Sequence, residues 1–371
     1  MKVNKWTVIF YCLSAVSLIV AGIIVFNLWN LNLLEISAFA AVVVGILLMH
    51  VLVFSLIRGY GKKQGKIRLL VILLLLCLLF AGEIVSINLY RQLNEVIHVD
   101  ETPEVATEEK KIEAEPFIVY LSGSDTRNEK IEENSRSDVN ILAVVNPEKK
   151  KVLLVNTPRD YYVSNPNSPT RELDKLTHCG IYGINCSIKA LEELYKCHVD
   201  YYAQINFSGF ETLIDTLGGI TIYSDIDDGV FLKQGANQMN GEVALDFARE
   251  RYSYSEGDNA RGKHQMMVIQ AIAEKTKTEI SFSNYNEILT SLEGMFRTNM
   301  QIGDIAKFAR IYLGDQDNWN IQAYAVTGTG GSEYTYSMPG MKAYVMYQNP
   351  ETVKEASDLI QDVLTETEVT N

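Results

Sequence analysis

A chain of 371 residues with 47% hydrophobic content has room for one large domain or two ordinary ones. Its balance of 33 Lys+Arg against 46 Asp+Glu, a net charge of −13, argues against a general nucleic-acid binder, which needs a broad basic face for phosphate backbones. The apolar residues are crowded toward one end, so the elements are best taken in chain order.

Three apolar stretches, about residues 6–29, 36–57 and 69–90, each reach the roughly 20 residues that cross a hydrocarbon core. A cleavable signal peptide has a shorter apolar core and no full-length spans behind it, so these are expected to remain as a three-helix membrane anchor. The connection from Arg58 to Arg68 holds five positive charges and no negative one. That places the loop in the cytoplasm, together with the N-terminus carrying Lys2 and Lys5, and everything after Tyr90 outside the cell. Glu83, in the outer third of the third span, is an ionisable residue of the kind that marks function in a membrane. Its place near the exit favours a side chain that reaches the headgroups. Residues 1–90 hold seven Lys+Arg and two Asp+Glu, leaving 26 against 44 for the rest, a net of −18. A basic cluster in so acidic a part is therefore informative.

Residues 91–115 are polar and acidic, as expected of a linker that buries too little apolar surface to fold alone. Residues 116–371 then alternate strand and helix patterns, which predicts an α/β domain with a mixed sheet covered by helices. PFIVYLSG reads as a strand, and VNILAVVNPEKKKVLLVNTPRD as two strands joined by a turn at Asn-Pro-Glu-Lys. SIKALEELYKC and FSGFETLIDTLGGI have helical spacing, the second stopping at Gly218-Gly219. GTGG at 328–331 lacks the lysine and helix of a P-loop and reads as a turn. NIQAYAV is a further strand, and PETVKEASDLIQDVL a closing helix begun by Pro350. Cys12 and Cys77 fall in the spans as small apolar side chains. Of the three remaining cysteines, Cys179, Cys186 and Cys197, at least one stays free or pairs between molecules, and the pairing is open.

The first strand ends in Ser122-Gly123-Ser124-Asp125-Thr126-Arg127, the second is entered through Arg136-Ser137-Asp138, and the third leaves through Thr157-Pro158-Arg159-Asp160. Arginine beside aspartate thus recurs at strand ends, where open α/β sheets bind ligands. NGEVALDFA predicts a helix capped by Asn240, followed by Arg249 and Arg251 on one face if the chain is extended there. Asp258-Asn259 caps the next helix, with Arg261 and Gln265 four apart on one side. Arg261, Lys263 and His264 sit at the partial positive pole of that helix, an unfavourable placement of roughly 0.3–1 kcal/mol each that a bound anion reverses. Asp125 and Asp138 would repel the anion unless a divalent cation lies between them, and magnesium takes one or two carboxylates together with phosphate oxygens. More arginines than one phosphate needs point to a diphosphate.

These blocks, LSGSDTR, RSDVNILAVVNPEKKKVLLVNTPRDYYV, DKLTHCGIYG, INFSGFETLIDTLGGI and FARERYSYSEGDNARGKHQ, resemble the LytR-CpsA-Psr family, whose members attach glycopolymers to bacterial cell walls. The three-span anchor resembles the family's capsule branch. The resemblance implies an enzyme that moves a teichoic acid or capsular polysaccharide from a polyprenyl-pyrophosphate carrier to peptidoglycan, alongside a polymer export machinery. It implies that Asp125 and Asp138 hold Mg2+ or Mn2+, that Arg136, Arg159, Arg249, Arg251, Arg261 and Gln265 hold the diphosphate, and that Arg127 and Lys175 support them. The acceptor proton then goes to Asp258 or Asp160. Two departures from the family pattern are His264 in place of an arginine, which weakens one cation and adds pH dependence, and Thr177 in place of asparagine. The lipid groove is expected from the apolar helix faces of SIKALEELYK and FETLIDTL, which core packing explains equally well. Two other functions share the same grip on a diphosphate: a hydrolase of the carrier, and a sensor that binds lipid-linked precursors without reacting.

Overall fold

In the computed structural model the described residues are 5–31, 36–58, 65–96, 98–99, 110–126, 130–132, 134–279, 291–314 and 319–365. The chain divides into two compact units, residues 1–94 with 302–310, and residues 95–301 with 311–371.

The first unit holds α1 (Lys5–Leu31), α2 (Ile36–Arg58) and α3 (Gly65–Val96). Within them Val8–Phe26, Phe39–Ile57 and Leu69–Asn88 are long and apolar enough to cross a membrane. Phe10, Val53, Ile57, Ile72 and Leu76 pack between the helices, while Ile19, Val51 and Leu70 stay exposed, as lipid-facing residues do. Glu83 does not reach outward as its position suggested. It is 4% exposed and accepts a hydrogen bond from Ser17 Oγ at 3.1 Å. His50 Nε2 lies 3.2 Å from the same hydroxyl, and its Nδ1 is 2.8 Å from the Ile46 carbonyl. Ser17 of α1 thus meets both His50 of α2 and Glu83 of α3, because a carboxyl facing hydrocarbon is costlier than one with partners.

The other elements are β1 (His98–Val99), β2 (Phe117–Ser124), β3 (Ser137–Asn146), β4 (Lys151–Asn156), β5 (Tyr162–Ser164), β6 (Leu173–Lys175), α4 (Leu176–Cys179), α5 (Ile184–Tyr195), β7 (Tyr201–Asn206), α6 (Phe207–Thr216), β8 (Ile220–Ser224), β9 (Gly235–Met239), α7 (Gly241–Arg249), α8 (Asp258–Glu279), β10 (Phe296–Thr298), α9 (Ile302–Gly314), β11 (Asn320–Ala325), β12 (Gly328–Thr335), β13 (Met338–Gln348) and α10 (Pro350–Thr365). Seven strands form one mixed sheet in the order β1-β10-β7-β2-β3-β4-β11. β2 runs parallel to β7 and antiparallel to β3, and β4 is antiparallel to β3 and parallel to β11. The ends of β2, β4 and β7 and the start of β3 therefore share one edge, where the arginine–aspartate loops collect. The α/β fold with a helix-covered mixed sheet is the one the strand and helix alternation predicts.

Side-chain alternation separates the two faces of the sheet. Ile118 and Tyr120 of β2 point to the main core, with Leu142, Val144, Leu153 and Val155 from β3 and β4, closed by Ile188, Leu191 and Tyr195 of α5 and by Ala356, Ile360 and Val363 of α10. On the opposite face Leu121, Val139, Ala203 and Ile205 are only half-buried, because they line a cavity under α6, α7 and α8. Beyond it Ile214, Phe247, Val268 and Ala271 form a second core.

Two segments differ from their sequence reading. GTGG is not a turn but the start of β12, paired with β13 in an antiparallel hairpin. Its glycines hide the strand signal, while cross-strand tyrosines supply the surface that they lack. The segment read as a linker is structured at both ends: α3 continues to Val96, Ile112 is buried, and Lys110 pairs with Asp200 at 2.7 Å. Cys179, Cys186 and Cys197 are all free thiols, and Cys186 Sγ donates to Asn165 Oδ1 at 3.4 Å.

Candidate functional site

Two helix starts shape the cavity. Asn206 ends β7 and caps α6 by accepting from Gly209 N–H at 2.8 Å. Asn240 caps α7 through Val243 N–H at 3.0 Å. α7 ends at Arg249, and its cap residue Glu250 is extended, so Arg249 and Arg251 both come to the cavity wall. Arg261 and Gln265 join them from α8, and Arg159 and Asp138 from the sheet edge. The cavity measures about 810 Å³. Below the charged mouth its lining is apolar, including Phe210, Leu213, Phe231, Val268, Ile272 and Phe296. Of the two segments expected to form a groove, FETLIDTL therefore does so through Phe210 and Leu213, whereas Ile188 and Leu191 of SIKALEELYK belong to the core on the other face.

Nearly every charge at the mouth has an opposite neighbour. Arg159 Nη1 meets both oxygens of Asp138 at 2.8 Å, and its Nε is 3.7 Å from Asp160. Asp160, 1% exposed, also receives Lys175 Nζ at 2.6 Å and Arg251 Nη1 at 3.6 Å. Arg261 is buried against Asp258 at 2.6 Å. Burial works against the charge of Arg159, yet Asp138, Asp160 and Asp258 outweigh it and raise its pKa. Burial holds the pKa of Asp258 above the usual carboxylate range, opposed by Arg261 and reinforced by Asp160. Asp125 is raised too, first by lost hydration and then by Asp138, while Arg249, Arg159 and Arg136 pull it down. Arg249 differs from Arg159, Arg251 and Arg261. It is exposed, its guanidinium lies 4.5 Å from the centre of the Phe207 ring, and among the described residues it forms no ion pair.

The sequence-expected residues thus gather at one mouth, with three qualifications. Arg127 lies outside the described residues. Gln265 has both ends of its amide engaged, accepting from Asn156 Nδ2 at 3.0 Å and donating to the Ala248 carbonyl at 3.3 Å. A Cβ at Gly262 would stand 2.6 Å from Asn156 Oδ1, so only glycine lets α8 come close enough for that contact. His264 does not weaken a cation at the mouth, nor does it bring pH dependence there. Its ring stacks on Phe247 at 4.2 Å and meets Tyr254 at 4.7 Å, and burial pushes its pKa down. The conflict at the helix pole is also smaller than expected, because Asp258 and Glu256 answer Arg261 and Lys263.

Sequence reading missed the support behind Lys175. Asp174, fully buried, binds His178 Nδ1 at 2.7 Å, Ser337 Oγ at 2.5 Å, Ser337 N–H at 3.0 Å and Asn165 Nδ2 at 3.1 Å. It ties the hairpin tip to the strand that carries Lys175. Burial raises its pKa, but the hydrogen bonds from His178 and Ser337 win and hold it below the ordinary value. Such a carboxylate stabilises the fold above its unfolded pKa, and the contribution is lost as pH falls through the lower folded value. Asp174→Asn is expected to cost about 1.5–3 kcal/mol at neutral pH and less in acid, as read by denaturant unfolding across pH.

Among known proteins, this chain is 32% identical over 260 residues, 68% of its length and 84% of the relative's, to the polyisoprenyl-teichoic acid–peptidoglycan teichoic acid transferase TagU of Enterococcus faecalis. Its fold is similar to that of the Lin1025 protein from Listeria innocua, at 28% identity and a TM-score of 0.54 over 67% of this chain and 99% of that one. It is similar also to TagT solved bound to LIIa-WTA, at 25% identity and a TM-score of 0.55 over 72% and 99%. Residues 86–355 match the LytR_cpsA_psr family, and the chain belongs to that family.

Proposed function

We propose that this chain transfers an anionic glycopolymer, of the teichoic acid or capsular polysaccharide type, from a polyprenyl-diphosphate carrier to peptidoglycan on the outer side of the membrane. What carries the reading is a single cavity that is apolar below and lined at its mouth by Arg159, Arg249, Arg251 and Arg261. An isoprenoid tail suits the first part and a diphosphate the second. The similarity to TagU, a polyisoprenyl-teichoic acid–peptidoglycan teichoic acid transferase, supports it.

In the transfer, an acceptor hydroxyl oxygen bonds to the phosphorus that carries the polymer. The bond from that phosphorus to the bridging oxygen breaks, and its electron pair leaves with the polyprenyl phosphate. Arg249, which forms no ion pair among the described residues, meets the charge on the phosphate oxygens. The hydroxyl proton goes to a carboxylate. Asp258, with its raised pKa, suits that role better than Asp160, which already answers three cations. Asp125 and Asp138 would hold Mg2+ or Mn2+, since the two like charges share one edge, where Asp138 helps to raise the pKa of Asp125, and such an ion commonly takes one or two carboxylates beside phosphate oxygens and water. When bound, the ion supplies neutralisation of the phosphate charge.

The test is mass spectrometry of lipids retained by the full chain in detergent, paired with transfer of labelled polymer. Wild type is expected to retain polyprenyl-diphosphate species, and Leu213→Trp, which fills the cavity, to lose both retention and transfer. Release of free polymer with none linked to peptidoglycan would make the protein a hydrolase. Retention unchanged by Leu213→Trp would remove the cavity from the reading.

A further inference from the structure

The lipid and diphosphate have places in this structure; the acceptor has none yet. β2, β3, β7 and α6 to α8 line the cavity, and the β12–β13 hairpin contributes nothing to it. The hairpin is nonetheless fastened to the site. Met346 N–H donates to the Asp160 carbonyl at 2.7 Å, and Met346 bridges Tyr161 in parallel. Tyr344 stands two residues before Met346, on the same strand face. Burial and then the charges of Asp258 and Asp160 raise the pKa of its phenol, and Arg251 lowers it, which puts the ring within electrostatic reach of the charged mouth.

That face is open and aromatic. Tyr344 is 49% exposed and Tyr334 is 55% exposed. A Cβ at Gly330 would come within 3.0 Å of the Tyr344 ring, so the ring lies across a strand glycine and offers its other side to solvent. Lys342 Nζ stands 5.6 Å from the centre of the Tyr334 ring, and Ser332 pairs with Tyr344 across the strands. Rings with polar tips, a hydroxyl and an ammonium match a pyranose, which has an apolar C–H face and a rim of hydroxyls. The occupant also has to deliver a hydroxyl to the diphosphate from the side that the lipid tail does not use.

We propose that the hairpin face bearing Tyr334, Lys342 and Tyr344 is the subsite for the acceptor glycan, whose sugar rings rest on the two tyrosines. This rests on the transfer reading and assigns the place of its second substrate. The subsite sets which hydroxyl reaches the phosphorus.

The experiment uses the full chain in detergent and two readouts. One is binding of an uncrosslinked peptidoglycan oligosaccharide, which needs no donor; the other is transfer of labelled polymer at varied oligosaccharide. Tyr334→Ala/Tyr344→Ala is expected to weaken oligosaccharide binding and raise the acceptor KM about tenfold, with the donor Kd unchanged. Tyr344→Trp keeps acceptor binding. Lys342→Ser, which leaves both rings in place, weakens it in the same assay and serves if the double variant fails to fold. Equal oligosaccharide binding by wild type, Tyr334→Ala/Tyr344→Ala and Lys342→Ser overturns the subsite. Quenching of Tyr344→Trp by brominated lipid in nanodiscs beyond that of wild type, without protection by oligosaccharide, overturns it in favour of membrane contact. Binding lost in the variants while wild type only hydrolyses its donor supports the subsite and overturns the transfer reading instead.

Discussion

Arg249→Ala is expected to lower polymer transfer by about 10³-fold, the lower end of what a transition-state arginine supplies in phosphoryl transfer, while lowering the melting temperature by no more than about 4 °C. The two halves of this expectation share one cause. Arg159, Arg251 and Arg261 are answered by carboxylates, so removing any of them strands a charge as well as a ligand. Arg249 rests on the Phe207 ring at 4.5 Å and is exposed. Its loss leaves no buried charge behind, and an exposed cation over a ring is worth only about 0.5–1 kcal/mol. Arg249→Lys keeps the charge but loses the planar fork, and should fall between the two. Transfer rates in proteoliposomes beside thermal denaturation of the same samples decide it. A variant within about tenfold of wild type would remove Arg249 from the reaction.

Arg261→Met should act in the opposite way, chiefly on stability. Arg261 and Asp258 are both buried and 2.6 Å apart. Breaking such a pair from one side costs about 3–5 kcal/mol because the other charge is left without compensation. The deficit depends on pH with a defined sign. The folded pKa of Asp258 lies above its unfolded value in wild type, and loss of the guanidinium raises it further. The penalty is thus full above the folded value and fades as pH falls toward the unfolded one. Arg261→Met/Asp258→Leu should recover most of the stability and none of the transfer. Urea unfolding of the single and double variants at neutral and acid pH measures each part. Equal stability of Arg261→Met and wild type at neutral pH would show that the pair is hydrated.

The sequence made the charged mouth legible where its residues obey a local period. Arg261 and Gln265 are one helical turn apart, and Asp125, Asp138 and Arg159 sit at strand ends that the sheet brings to one edge. It could not show partners fixed by tertiary contact. Lys175 finds Asp160 across β5 and β6, and Asp174 finds Ser337 over 163 residues; neither spacing has a local signature. His264 misleads for the same reason. The spacing that marks its neighbours as ligands says nothing of the aromatic pair that encloses it. The hairpin was hidden because Gly328, Gly330, Gly331 and Gly340 interrupt alternation. Glu83 looked free because its partner Ser17 is an unremarkable hydroxyl 66 residues earlier.

The meeting of Ser17, His50 and Glu83 also imposes an order on biogenesis. A bilayer offers no hydrophobic reason for one helix to seek another, so polar groups must find each other as they are inserted. Ser17 and His50 enter with the first two helices and can satisfy one another at once. The carboxylic acid arrives last, to a berth already prepared, and the anchor is spared a stage in which an acid alone faces lipid.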